Sequence, residues 1–225
     1  MHILALIPAR GGSKGIPNKN IKPLHCKPLI EYTIDHVRGI KDFDFVAVSS
    51  DSQLILDMSA NCSPFIHQIK RPARFASDKA DMTVVMKHAL EAIKLKDYVP
   101  DMLVLFQPTS PLRSISTTIR AIRTFSQWYD DYDSLVPLTP CDGKVGSIVN
   151  NIYRPVYQIG KNRQELNQMY KECGNIFIFK PKNILNNKPY GKRLYPFIIE
   201  DTKESLDIDT MDDWEQAEKY LEANE

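Results

Sequence analysis

Ile3-Leu4-Ala5-Leu6-Ile7-Pro8-Ala9-Arg10-Gly11-Gly12-Ser13-Lys14-Gly15 decides how this chain is read. Ile3 to Ile7 is unbroken, apolar and rich in β-formers, the pattern of a central parallel strand covered on both faces. Glycines and cations then crowd into the loop that follows. Open α/β sheets place ligands just past the carboxyl ends of such strands. Gly11, Gly12 and Gly15 permit positive φ and close approach of backbone N–H groups to an anion. Arg10 and Lys14 add fixed charge suited to a triphosphate. The loop matches neither G-x-G-x-x-G nor G-x-x-x-x-G-K-[ST], so it supports neither a dinucleotide fingerprint nor a P-loop. Composition alone fits a phosphate cradle or a flexible surface turn with solvated cations equally well.

The alternation continues outward from that loop. Leu29, Ile30, Tyr32, Thr33, Ile34 and Val37 recur at helical spacing up to Gly39. Phe45 to Ser49 predicts a second buried strand, with Ser50-Asp51 placed to cap the helix that begins near Gln53. A short strand is expected over Phe65 to Ile69, a helix over Thr83 to Leu95 and a buried strand over Met102 to Phe106. A helix from Ile115 to about Tyr129, with Ser114 as a cap, and a strand from Ser134 to Leu138 follow. Strand and helix in turn predict an α/β fold with a doubly wound, mostly parallel sheet.

From about 139 to 172 the rhythm breaks into a polar excursion, too long for a plain loop. Regular pattern returns as strands over Ile176 to Phe179, Tyr195 to Ile199 and Ser205 to Ile208, then a helix from Met211 to about Leu221. With no repeat or linker, residues 1–225 are expected to form a single domain with that excursion as an arm.

The bulk composition is that of a globular protein: 43% hydrophobic, 25% charged and a net charge of +1. No global basic field exists to hold nucleic acid or a membrane surface. Cys26, Cys62, Cys141 and Cys173 form no C-x-x-C pair, which points to reduced thiols in a cytoplasmic protein. The apolar run at the N-terminus stops at Pro8, too short for a signal-peptide core or a membrane span.

Five blocks carry a resemblance, in order along nearly the whole chain. They are Ile7 to Gly15 with Pro17-Asn18-Lys19-Asn20, Arg71-Pro72 with Ala76-Ser77-Asp78, Gln107-Pro108-Thr109-Ser110-Pro111-Leu112-Arg113, Arg163-Gln164, and Asp207-Ile208-Asp209-Thr210. The set closely resembles the acylneuraminate cytidylyltransferases, the CMP-sialic acid synthetase family. That resemblance implies a Rossmann-like nucleotidyltransferase fold with a small dimerisation arm, and transfer of CMP from CTP to the anomeric hydroxyl of a sialic-acid-like nonulosonic sugar. It implies CTP and an acidic sugar as partners, Mg²⁺ as cofactor and a homodimer.

Roles follow residue by residue from the resemblance. Ala9, Arg10, Gly11, Gly12, Ser13 and Lys14 are expected to cradle the phosphates, with Lys14 and Arg10 as catalytic cations and Asn20 on the nucleotide. Arg71, Ser77, Gln107, Thr109, Ser110 and Arg113 are expected to complete the nucleotide site. Asp207 and Asp209 become magnesium ligands; as next-but-one neighbours on an expected strand they share a face, where two carboxylates need a cation. Their alternative reading is a helix N-cap, which Thr210 or Asp209 alone satisfies. Arg163, Gln164, Tyr170, Cys173 and Gly174 are assigned to the sugar. Cys173-Gly174-Asn175 departs from the Asn-Gly-x pattern of many sialic acid enzymes, and a thiol cannot reproduce an amide's hydrogen bonds. No histidine falls in a matched block.

Two other readings remain within reach of the sequence. One is a cytidylyltransferase for legionaminic, pseudaminic or an eight-carbon ulosonic acid. The other, of a different class, is a non-catalytic nucleotide-binding regulator.

Overall fold

The computed structural model describes residues 1–77, 80–141, 144–160 and 162–223. β1 (Ile3–Pro8) is buried at every position. A loop and a tiny hairpin, β2 (Pro23–Leu24) with β3 (Lys27–Pro28), lead into α1 (Leu29–Arg38). Then come β4 (Phe45–Ser50), α2 (Gln53–Cys62), β5 (Ile66–Lys70), α3 (Met82–Lys94) and β6 (Met102–Leu105). The second half holds α4 (Ile115–Gln127), β7 (Ser134–Cys141), β8 (Gly146–Val149), β9 (Ile152–Pro155), β10 (Met169–Glu172), β11 (Phe177–Phe179), α5 (Pro181–Leu185), β12 (Leu194–Ile198) and α6 (Met211–Glu222).

β1 lies between β4 and β6 and runs parallel to both, Leu4 facing Phe45 on one side and Leu103 on the other. Strand order therefore reverses at β1, which opens a crevice at the carboxyl ends of these strands. Its side chains alternate between two cores, as strand geometry requires. Ile3, Ala5 and Ile7 pack with α1 and α4 through Ile30, Ile34, Ala121 and Phe125. Leu4 and Leu6 pack with α3 through Met86, Ala89 and Ile93. Helices thus cover both faces.

The eight-stranded sheet is mostly parallel rather than wholly so. β11 runs antiparallel between β6 and β7, and β10 pairs antiparallel with the far end of β7. An apolar run such as Ile176 to Phe179 reports burial but not direction, so sequence periodicity could not show this. The expected strand over Ser205 to Ile208 is absent: the segment is irregular. Its alternating Leu206 and Ile208 mimic a strand, yet Ile208 N donates to Thr109 O and its side chain joins a separate core with Ile16, Leu24, Leu29 and Trp214.

The excursion is partly built into the sheet through β10. Its outer part is a hairpin, β8 with β9, turned by Asn150 and Asn151 with φ of 51° and 62°, the geometry of a two-residue turn with left-handed residues. Ile148 is paired with Tyr153 and Val149 with Ile152, so both faces carry apolar side chains. All four are exposed, Ile148 at 75%.

Candidate functional site

A cleft of about 340 Å³ opens at the carboxyl ends of β1 and β6. Pro8, Arg10, Ser13, Lys19, Asn20, Arg71, Met82, Gln107, Pro108, Thr109, Asp207 and Asp209 line it, so four of the five sequence blocks meet there.

The loop after β1 is fixed by its surroundings. Ala9 N donates to Ser49 O, and Gly11 N donates to Asp51 Oδ1 at 2.9 Å. Asp51 is thus spent on the loop instead of capping α2, whose N-cap is Ser52. Asn20, buried, donates from Nδ2 to Arg10 O at 2.9 Å and closes the loop from behind. None of Gly11, Gly12 and Gly15 uses the positive φ that glycine permits. Two are required by packing: a β-carbon on Gly11 would stand 2.9 Å from Ser52 Cβ, and one on Gly15 would stand 2.6 Å from Asp209 O. The loop's left-handed residue is Asn18, at φ 55°.

Sequence reasoning named Lys14 and passed over Lys19. Lys14 is exposed and does not line the cleft. Lys19 lines it, with its side chain 11% exposed, and its ammonium donates to Ile208 O at 2.5 Å and to Asp209 Oδ1 at 3.1 Å. The available signal was its place beside Asn20, in the same matched block.

Arg71 is 5% exposed, and its Nε and one terminal nitrogen are buried without a hydrogen-bond partner. Asp51 Oδ1 lies 4.0 Å from one terminal nitrogen. Burial draws this guanidinium below its ordinary pKa, with Asp51 opposing. A buried, underused guanidinium lining a cleft is suited to an oxyanion. Ser77, from the same block, is exposed outside the lining, and Asp78 lies outside the described residues.

Asp207 and Asp209 reach the cleft together but in unlike surroundings. Asp207 Oδ1 is buried and unpartnered, and desolvation raises the carboxyl's pKa against the hydrogen bond from Thr109. The Asp209 side chain is 76% exposed. The cap of α6 is Thr210 in a capping box with Asp213, so the carboxylate of Asp209 does not cap the helix and instead accepts from Lys19 at the cleft. Among the described residues no three His, Cys, Asp or Glu side chains cluster as a metal cage. A pair of hard oxygen donors, one of them buried with an open position, does suit a cation that takes its other ligands from phosphate and water.

Gly174 lets the connection from β10 to β11 press against this floor. A β-carbon there would lie 2.5 Å from Ser110 Oγ, 2.9 Å from Gln107 Oε1 and 3.0 Å from Asp207 Cγ. Cys173 beside it is buried, and burial pushes its thiol pKa up, away from a ready thiolate. Ser110 is buried beneath the lining. Arg113 is buried too and directs its guanidinium into the floor rather than the cleft, donating to Gln107 O, Asn175 O and Thr33 Oγ1. Tyr170, on β10, and Gln164 are exposed. The side chain of Arg163 lies outside the described residues.

Comparison with known proteins agrees with this geometry. The cytidylyltransferase family model matches residues 4–223. The CMP-N,N′-diacetyllegionaminic acid synthase of Legionella pneumophila is 32% identical over 229 residues, which covers 100% of this chain and 98% of that protein. The N-acylneuraminate cytidylyltransferase of Escherichia coli is 32% identical over 225 residues; 96% of this chain matches 51% of that longer protein. The pseudaminic acid cytidylyltransferase of Campylobacter jejuni is 28% identical over 233 residues, 100% of this chain and 98% of that one. In fold the chain is similar to a CMP:2-keto-3-deoxy-manno-octonic acid synthetase, with a TM-score of 0.75 at 14% identity and full coverage of both chains. The chain belongs to the cytidylyltransferase family, in the group that includes the acylneuraminate cytidylyltransferases.

Proposed function

We propose that this chain transfers CMP from CTP to the anomeric hydroxyl of a nonulosonic acid and releases pyrophosphate. One observation carries the reading: a buried guanidinium with unused donors, Arg71, lines the same cleft as a buried carboxylate with an unused oxygen, Asp207. A triphosphate with its counter-cation offers the complement to both. The related proteins named above act on three different acids of this class, which supports the class and leaves its member to experiment.

In the reaction the sugar oxygen forms a bond to the α-phosphorus, the bond from that phosphorus to the bridging oxygen breaks, and pyrophosphate leaves with the electron pair. The hydroxyl proton passes to water. Such transfer depends on alignment and charge neutralisation more than on a covalent nucleophile. Arg71, Arg10 and Lys19 bind and orient the phosphates. Gln107 and Thr109, which line the same cleft after β6, are assigned to the nucleotide. Asp207 and Asp209 would hold Mg²⁺, which when bound neutralises charge on the phosphate oxygens. The sugar lies toward Gly174 and Cys173, with Arg163 for its carboxylate as the family resemblance implies.

Pyrophosphate release should therefore require CTP, Mg²⁺ and one acid from a panel of neuraminic, legionaminic, pseudaminic and eight-carbon ulosonic acids. Release with UTP or ATP at equal rate would overturn the reading. Tight CTP binding without turnover on the whole panel would establish a regulator instead. We place the protein in the cytoplasm, where CTP is found; among its described residues no helix is long and apolar enough to cross a membrane. The apolar hairpin supports a homodimer built through the arm.

A further inference from the structure

Arg113 spends all three guanidinium nitrogens below the cleft. Nε donates to Asn175 O at 2.5 Å, one terminal nitrogen to Thr33 Oγ1 at 3.0 Å, and the other to Gln107 O. The acceptors belong to three separate segments: α1, the turn after β6, and the connection into β11. Two of them adjoin the cleft. Gln107 lines it, and Asn175 follows Gly174, which lies against Gln107 and Asp207. The links continue past Arg113, because Asn175 Nδ2 donates to Glu204 O at 2.8 Å, three residues before Asp207. Thr117 Oγ1 donates to Glu204 Oε1 at 3.2 Å and ties that segment back to α4. A planar fork of donors can hold several acceptors at fixed mutual spacing, and an ammonium on a flexible stem cannot.

We propose that Arg113 is a positioning residue: its guanidinium sets the separation between Gln107 and the Gly174–Asp207 floor, and so the alignment of the sugar against the nucleotide. The inference rests on the reading of the cleft as a cytidylyltransferase site. It predicts a defect that falls mainly on the sugar: Arg71 belongs to the separate segment after β5, and Lys19 meets this network only at one remove, through Ile208, whose N–H donates to Thr109 O.

The test compares the parent with Arg113→Lys and Thr33→Val in steady-state pyrophosphate release, alongside CTP titration by calorimetry. Arg113→Lys should bind CTP with parental stoichiometry and a Kd within about threefold, while kcat/KM for the sugar falls at least tenfold. Thr33→Val, which removes one acceptor, should show a smaller loss of the same kind that Thr33→Ser restores. If Arg113→Lys does not fold, the Thr33 pair alone decides: an unchanged sugar kcat/KM in Thr33→Val overturns the inference. An active parent with Arg113→Lys at parental sugar kcat/KM also overturns it. So does an activity loss that only follows lost CTP stoichiometry, which would make Arg113 a residue of the fold alone. A parent that releases no pyrophosphate with any acid sugar overturns the reading of the site, and this inference with it.

Discussion

Lys19 and Asp209, 190 residues apart, meet at 3.1 Å in the cleft, and Lys19 also holds the backbone of the intervening acidic segment through Ile208 O. The loop after β1 and the acidic segment are therefore tied to each other, reinforced by the close approach of Gly15 to Asp209 O. A single ammonium at that junction fixes the position of Asp209 and lines the cleft in which phosphate is proposed to bind.

Lys19→Ala should accordingly reduce turnover by about a hundredfold or more, since one positioned charge on a transition state is worth several kcal/mol. Lys14→Ala should cost less, because that side chain is exposed outside the lining. Parallel kinetics of the two variants check the ordering; a larger loss at Lys14 would return the catalytic assignment to it.

Asp207 is held at some cost to the fold. Its carboxylate is buried with one oxygen unpartnered, and desolvation raises its pKa. A raised carboxyl destabilises the folded state above its pKa, where the group is ionised, and ceases to do so as pH falls through that value. Asp207→Asn removes the charge and keeps the shape. It should abolish most turnover yet raise the metal-free Tm by a few degrees, about 2–4 °C per kcal/mol at this size. A thermal melt in EDTA reads this directly, and a lowered Tm would refute it.

How far the sequence reached is clearest around these residues. β1, β4 and β6 were legible because strands covered on both faces are written as continuous apolar runs. The loop after β1 was legible as part of the cleft lining because topology alone puts it at the sheet edge. The direction in which a side chain points after a turn is not written in spacing. Arg113, in a turn shaped by Pro108 and Pro111, reads like a ligand-facing residue but serves the floor. Lys14 and Lys19 are chemically alike, and spacing does not tell which lines the cleft; that follows from the folded loop, where Gly15 lies against the distant Asp209 O and Asn20 bonds Arg10 O across the loop itself. The strand expected over Ser205 to Ile208 failed because Leu206 and Ile208 bury into the core around Trp214 and not into a ladder.

His36 supplies a pH signature of the same floor. It is buried beside Phe106, bonded to Thr118 Oγ1 at 2.9 Å, and burial followed by the charge of Arg113 lowers its pKa to about 3. The unfolded chain takes up this proton near the ordinary histidine value of about 6.5, while the folded chain does not. Stability is therefore full above about pH 6.5 and declines as pH falls toward 3, at about 1.4 kcal/mol per pH unit for one proton. Urea unfolding at pH 7 and pH 5.5 measures the slope above the carboxylate range. His36→Gln should reduce it, leaving the part contributed by His67 and His88, whose pKa values burial also lowers; an unchanged slope would assign the proton elsewhere.

The arm yields the last prediction. Ile148 and Tyr153 face one way and Val149 and Ile152 the other, all of them exposed, on a hairpin of two short strands. A lone two-stranded hairpin is marginal in water, and apolar side chains on both faces make it more so unless something covers them. A second copy of the same hairpin offers a self-complementary apolar surface, and two-fold pairing is the commonest closed assembly. The arm also joins the site covalently, since the chain runs from it through β10 directly into Cys173 and Gly174. Pairing there should set the sugar end of the cleft. Ile148→Asp with Ile152→Asp should convert a dimer to a monomer in light scattering, raise the sugar KM several-fold and leave the CTP KM near parental. A parent that is monomeric and fully active would defeat the assembly, and a monomeric variant with an unchanged sugar KM would separate assembly from the sugar site.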